Sequence, residues 1–129
     1  MSLFCCPVCS APLDRNERTY LCPNRHSYDI AREGYTHLLP ANRKHSRLPG
    51  DDRGMVHARR AFLEKGYYVP LRSALCDLSV SLTGPVPRVL DSGWGEGYYT
   101  GAIQDALTYA GKTPRMAGID ISKSALRLA

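Results

Sequence analysis

A two-part α/β chain is predicted by three observations. Cys and His crowd into the first 39 residues, a basic stretch broken by Pro and Gly follows over 40–54, and a strand–helix–strand rhythm around a glycine-rich turn occupies the second half. With 129 residues there is room for one ordinary domain, or for a small domain and part of another. A hydrophobic content of 43% and a mean hydropathy of -0.31 read as globular and soluble. No apolar run approaches the roughly 20 residues that a membrane span needs. The start, Met-Ser-Leu-Phe-Cys-Cys, lacks the basic and apolar regions of a secretory signal. The cytoplasm is the expected location, with no membrane partner.

Residues 1–39 hold four of the five Cys and the short extended segments Arg18–Leu21, Ser27–Ile30 and Tyr35–Leu39. These carry too little apolar mass for a core, so something else must staple them. Five is an odd number, which argues against a complete set of internal disulfides. The spacing Cys6-x2-Cys9-x12-Cys22-x3-His26 instead suits a tetrahedral ion held by three thiolates and one imidazole. Each half places Pro directly after its first Cys, which gives two matching turns. Cys5 competes with Cys6 for the first position, and Cys6 is preferred because it gives the two-residue gap and the Cys-Pro match. Zinc held by Cys6, Cys9, Cys22 and His26 is the expectation, in a structural role, because a full Cys3His set leaves no open position for substrate. The alternative is a set of free, buried thiols.

Charge is unevenly shared. Residues 1–75 carry 12 Lys/Arg against 7 Asp/Glu, a net +5, whereas residues 76–129 carry 5 against 5. All four His also lie in the first part. A basic head on a neutral remainder suits a polyanion-binding arm, although a solvated basic surface reads equally well.

Residues 40–54 have linker composition. A helix is expected next, capped by Asp51 or Asp52 and ending at Gly66, with Val56, Phe62 and Leu63 buried. A second helix begins near Pro70, with Leu71, Ala74, Leu75, Leu78 and Leu82 at helical spacing and Gly84 beyond its end. Its Cys76 reads as a packing or free thiol. Arg88–Asp91 then reads as a short buried strand, Tyr99, Ile103, Ala106, Leu107 and Ala110 as a helical stripe, and Met116–Asp120 as a second strand. Ser122 can cap a further helix. This is a βαβ unit, which implies parallel strands.

The turn Asp91-Ser-Gly93-Trp-Gly95-Glu96-Gly97 lies between the first strand and its helix, the context in which glycines let a ligand approach the backbone. Asp120, 23 residues beyond Gly97, is placed to accept hydrogen bonds from a ribose diol. A dinucleotide site would continue G-x-G-x-x-G, and this turn does not. Asp91 and Glu96 would repel a pyrophosphate and would tolerate a cofactor carrying an ammonium and a sulfonium. S-adenosylmethionine is therefore expected ahead of NAD. A glycine turn without any ligand is the plain alternative.

With both motifs in hand, the chain resembles the RlmA family, bacterial 23S rRNA (guanine-N1)-methyltransferases, one branch of which gives macrolide resistance. The resemblance runs through Cys6/Cys9/Cys22/His26, Arg32–Leu39, Pro49–Asp51, Ala58–Leu63, Gly66–Tyr68 with Pro70-Leu71, Gly93–Thr100, and Gly118–Asp120 with Ser122-Lys123. It implies that residues 1–39 are a zinc-ribbon-like RNA-recognition module, 40–54 a linker, and 55–129 the N-terminal part of a Rossmann-like class I methyltransferase domain. It also implies cofactor contacts at Tyr68, Gly95 and Glu96, and a 23S rRNA hairpin as partner, with a homodimer left open. No catalytic base can be named. Arg25, Arg32, Arg43, Lys44 and Arg47 are candidates for phosphate contacts and Tyr20, Tyr28 and Tyr35 for base stacking, each of them equally readable as surface charge or local packing.

Two departures stand out. Trp94 occupies a position where the family usually has a small residue, commonly Cys. The family's chains are also much longer, so the domain is expected to be incomplete and inactive alone. The competing function is a non-catalytic, zinc-dependent RNA-binding module with a remnant cofactor site. An NAD-dependent enzyme is disfavoured by the turn's charges.

Overall fold

A computed structural model describes residues 3–43, 46 and 49–129, with the Ala41 side chain left aside. The phosphate candidates Lys44 and Arg47 lie outside the described residues. The chain divides into two compact units, Met1–Pro49 and Gly50–Ala129.

In the first unit, β1 (Asp14–Asn16), β2 (Thr19–Leu21) and β3 (Ser27–Asp29) form an antiparallel meander in that order. Asp14 faces Leu21 and Tyr20 faces both Arg15 and Tyr28 across the ladder. Two of the three expected strands are therefore present. Tyr35–Leu39 makes only an isolated bridge, Ile30 to Thr36, while β1 escapes sequence reasoning because all three of its residues are polar and exposed. One 3-10 turn spans Ala41–Arg43. The core is small: Cys6, Leu13 and Cys22 are buried, with Phe4, Cys9, Ala11, Tyr20, Tyr28 and Leu38 packed around them.

The second unit begins with α1 (Arg53–Leu63), whose N-cap Asp52 accepts a hydrogen bond from the Met55 amide at 2.9 Å. Gly66 ends the turn that follows, at φ 80°. Then come α2 (Val69–Leu82, with Pro in its first turn), β4 (Arg88–Ser92), α3 (Tyr98–Tyr109), β5 (Arg115–Ile119) and the single turn α4 (Lys123–Leu126). β4 and β5 pair in parallel, Leu90 beside Ala117 and Asp91 beside Gly118, with α3 as the crossover. Ser122 caps α4 and donates its hydroxyl to the Asp51 carbonyl at 2.6 Å, tying the start of α1 to the end of β5. The Lys112 ammonium binds the carbonyls of Val80 and Thr83 at the end of α2, where the helix dipole favours a cation.

Three expectations about burial need correction. The strand read as buried, β4, alternates between exposed and half-buried residues, with Leu90 60% exposed. Phe62 is 44% exposed, and its ring packs on Tyr67 and Tyr68 rather than into a core. On α2 the leucine stripe is not the covered side, since Leu71, Leu78 and Leu82 are 47, 53 and 75% exposed and Ala74 is exposed. The half-buried side is Arg72, Leu75, Cys76, Ser79 and Val80, and α2 packs against α3. Helical spacing shows which residues share a face; which face is covered depends on the neighbour. Cys76 is a free, half-buried thiol whose pKa burial pushes up, as suits a packing residue.

Candidate functional site

The head brings its four proposed ligands together. Cys6, Cys9, Cys22 and His26 place their donor atoms within 4.8 Å of one another. Cys9 Sγ lies 3.7 Å from Cys22 Sγ, and His26 Nδ1 lies 3.3 Å from Cys22 Sγ and 3.6 Å from Cys6 Sγ. A tetrahedron with metal–sulfur bonds of about 2.3 Å and a metal–nitrogen bond of about 2.1 Å has edges of about 3.5–3.8 Å. The 3.6 and 3.7 Å separations fall on those edges, and the 3.3 Å one is a little shorter. Cys5 is exposed, bridged by backbone to Pro12, and lies outside the group.

Local backbone explains the convergence. The Cys6 amide donates to the Ala11 carbonyl and the Ser10 amide to the Cys6 carbonyl, folding the first turn back on itself. The second turn repeats the device, Arg25 amide to Cys22 carbonyl and Cys22 amide to His26 carbonyl. Each turn needs one left-handed residue, Ser10 at φ 58° and Arg25 at φ 65°. Both are non-glycine, so composition gives no warning of them.

Sequence reasoning misses one member of this site. The Tyr28 hydroxyl lies 3.1 Å from Cys6 Sγ. Burial pushes the Cys6 thiol up, but the Tyr28 hydroxyl and the nearby backbone amides outweigh it and bring the thiol down to about 6. Tyr28 is correspondingly pushed up to about 12, first because its hydroxyl is hydrogen-bonded to Cys6. Burial pushes Cys22 up. Tyr20 and Tyr28, both candidates for base stacking, are cross-strand partners packed on the head core. The only hint in the sequence is position: Tyr28 stands two residues past His26.

In the second unit, Gly93, Gly95 and Gly97 lie at φ 88°, 59° and 81°, a path closed to most side chains. The turn is sewn to the end of β5. Gly93 and Trp94 amides donate to the Ile119 carbonyl at 2.8 and 3.1 Å, and the Gly95 amide donates to Asp120 Oδ2 at 2.7 Å. Asp120 Oδ1 accepts from the Ser122 amide at 2.7 Å. The Thr100 hydroxyl, on the first turn of α3 and 3% exposed, donates to the Asp91 carboxylate. Glu96 turns toward α1, its Oε2 3.5 Å from Arg60 Nε, which also faces Glu64 at 3.6 Å. Tyr68, in the bend between α1 and α2, sets its ring edge-on to Phe62 at 5.7 Å.

Thus Asp91, Gly93, Gly95, Glu96, Gly97 and Asp120 gather around the ends of β4 and β5, and all three acids already have partners within the protein. Three side-chain atoms at the turn and the start of α3 are buried without a hydrogen bond: Trp94 Nε1, Glu96 Oε2 and Tyr98 OH. The Trp94 indole fills the space that a Cβ at Gly97 or Gly118 would need, so both positions require glycine beside this tryptophan. Arg72 stacks over the Tyr98 ring at 4.7 Å.

A Cys/His-stapled ribbon ahead of a parallel βαβ unit with a glycine turn is the class of protein that these features define. Residues 4–47 match the family described as RlmA, N-terminal, a zinc ribbon. Over 126 residues the chain is 36% identical to the 23S rRNA (guanine(748)-N(1))-methyltransferase of Streptomyces fradiae, a match covering 96% of the chain and 42% of that protein. It is 35 and 34% identical to provisionally named 23S rRNA (guanine-N1)-methyltransferases of Micromonospora griseorubida and Bacillus subtilis, covering 46 and 44% of those proteins. The chain is similar over nearly its whole length to these three proteins, and it spans less than half of their length. Among the described residues no helix is long and apolar enough to cross a membrane.

Proposed function

We propose that this chain forms the zinc-bearing head and the start of the cofactor domain of an S-adenosylmethionine-dependent 23S rRNA (guanine-N1)-methyltransferase acting in the cytoplasm. In this reading residues 1–39 grip an rRNA hairpin, 40–54 connect, and 55–129 open a Rossmann-like class I domain. Zinc is held by Cys6, Cys9, Cys22 and His26 in a structural role, and the tetrahedral edge lengths support it.

The observation that carries the cofactor reading is the placement of Asp91, Asp120 and three left-handed glycines at the ends of two adjacent parallel strands. Backbone amides 93, 94 and 95 are taken by the Ile119 carbonyl and the Asp120 carboxylate, so these three are not open to a pyrophosphate. Its carboxylates suit a ligand that brings hydroxyls and positive charge instead. Each oxygen of Asp120 accepts one amide and keeps a second lone pair for a ribose hydroxyl. The unpaired Tyr98 hydroxyl and Trp94 Nε1 add two buried polar groups beside the turn. Bound there, the cofactor would supply an activated methyl group on sulfonium. The chain's own residues Tyr68, Asp91, Gly93, Gly95, Glu96, Gly97 and Asp120 would bind and orient it.

Calorimetric titration with S-adenosylmethionine and with NADH tests this reading. Uptake of the first and not the second is expected, and uptake of NADH would overturn it. The second reading, a zinc-dependent RNA-binding module with a remnant cofactor site, draws on Trp94, whose bulk against Gly97 and Gly118 sets this turn apart. Uptake of neither ligand, together with salt-sensitive RNA binding, would favour it.

A further inference from the structure

We infer that Asp120 is a positioning residue for the glycine turn, holding it against the end of β5 whether or not a ligand is present. The turn from β4 to α3 contains three left-handed glycines, and such backbone has many other conformations open to it. Three consecutive amides restrict it, and they divide between two acceptors. Those of Gly93 and Trp94 share the Ile119 carbonyl, a backbone group that no substitution removes. That of Gly95 depends on a side chain, Asp120 Oδ2, at 2.7 Å. The other oxygen takes the Ser122 amide at 2.7 Å, and Ser122 in turn caps α4 and donates to the Asp51 carbonyl.

One carboxylate thus joins the turn after β4 to the turn after β5. A bond to an ionised acceptor is stronger than one between neutral groups, and this one is partly shielded from water. Sequence spacing marks Asp120 only as an acceptor for a ligand's hydroxyls. The geometry gives it a prior role, because its bond to Gly95 fixes the point at which the backbone passes closest to whatever the turn holds. The benefit to cofactor binding rests on the proposed function above. The clamp itself does not.

Amide hydrogen exchange on the whole zinc-loaded chain separates the two, read residue by residue by NMR without added ligand. In Asp120→Ala the Gly95 amide should exchange at least about ten-fold faster than in the unsubstituted protein, and its proton resonance should move upfield. The Gly93 amide, bonded to the Ile119 carbonyl, and that of the buried Leu107 in the last turn of α3 should keep their rates. Asp120→Asn keeps the shape but leaves one oxygen where two accepted. At least one of the Gly95 and Ser122 amides should then quicken by a similar factor. Unchanged Gly95 exchange in Asp120→Ala would overturn the clamp. If that variant also loses Gly93 and Leu107 protection, the Asn variant decides, and unchanged rates at both Gly95 and Ser122 would overturn it. Failure of the unsubstituted protein to take up S-adenosylmethionine would sink the cofactor reading while the exchange result still judged the clamp.

Discussion

The head and the α/β unit both bury little apolar surface, and they compensate differently. In the head, two of the three buried core residues are cysteines, and the strands are three residues each. Its sheet packs Tyr20 and Tyr28 on a core made largely of thiols. In the α/β unit the buried set is Val56, Leu63, Leu107, Ala117 and Ala125, with Thr100 and Ser122 hydrogen-bonded among them. There, side-chain hydrogen bonds and the parallel β4–β5 pair do what thiols do in the head. One unit should depend on a ligand for its fold and the other on packing and polar bonds.

Chelation should widen that contrast most. Removing the ion would leave three thiols and an imidazole crowded within 4.8 Å with nothing between them. Structural zinc in small modules contributes about 10–16 kcal/mol of apparent binding energy, which is folding energy for the module. A strong chelator should abolish the β1–β3 ladder while Leu107 amide protection in α3 persists, as read by hydrogen exchange. Acid should act with the chelator. Zinc binds thiolates and a neutral imidazole, so protons compete with the ion and its hold on the head should weaken as pH falls. Zinc retention that was insensitive to acid would contradict this.

Gly118→Ala should be the most damaging single change in the α/β unit. The added methyl falls inside the Trp94 indole, and overpacking of this kind costs about 1–3 kcal/mol. Combining it with Trp94→Ala should recover most of the loss, a non-additivity that thermal unfolding would reveal. If the double variant were as unstable as the sum of the two, the indole would not be the obstacle. Thr100→Val would leave the Asp91 carboxylate short of its hydroxyl donor in a buried place, at about 1–3 kcal/mol by denaturant titration. The smallest effect should come from Asp52→Ala, which removes the N-cap of α1 and costs about 1 kcal/mol. None of the three should change the zinc content of the head, and a change would break the proposed independence of its fold.

Much of the site is legible in the sequence because it is local. The interval Cys6 to Cys9 and the interval Cys22 to His26 each lie within one backbone turn, so spacing alone specifies which donors converge. The glycine turn is legible for the same reason, since Gly93, Gly95 and Gly97 adopt the left-handed backbone that only they tolerate cheaply. Less legible is what each acid does. Glu96 reads from the sequence as a charge in the turn, yet it faces Arg60 of α1, 36 residues upstream. The exposure of Leu71, Leu78 and Leu82 is equally hidden, because periodicity names a face without naming its cover. Tyr28 reads as a ring for base stacking or local packing, whereas pairing of β2 with β3 turns its hydroxyl onto a thiol.

The sequence by itself determined which three thiols and one imidazole converge, the glycine turn and the order strand–helix–strand, since each depends on residue type over a few neighbouring positions. Only the tertiary structure decided that Asp120 closes on Gly95, that Arg60 takes Glu96, and that Trp94 lies against Gly118. Those contacts join residues 24–36 positions apart, and the physical reason is plain: hydrogen bonds, ion pairs and steric exclusion act over a few ångströms in space, a distance that sequence separation does not measure.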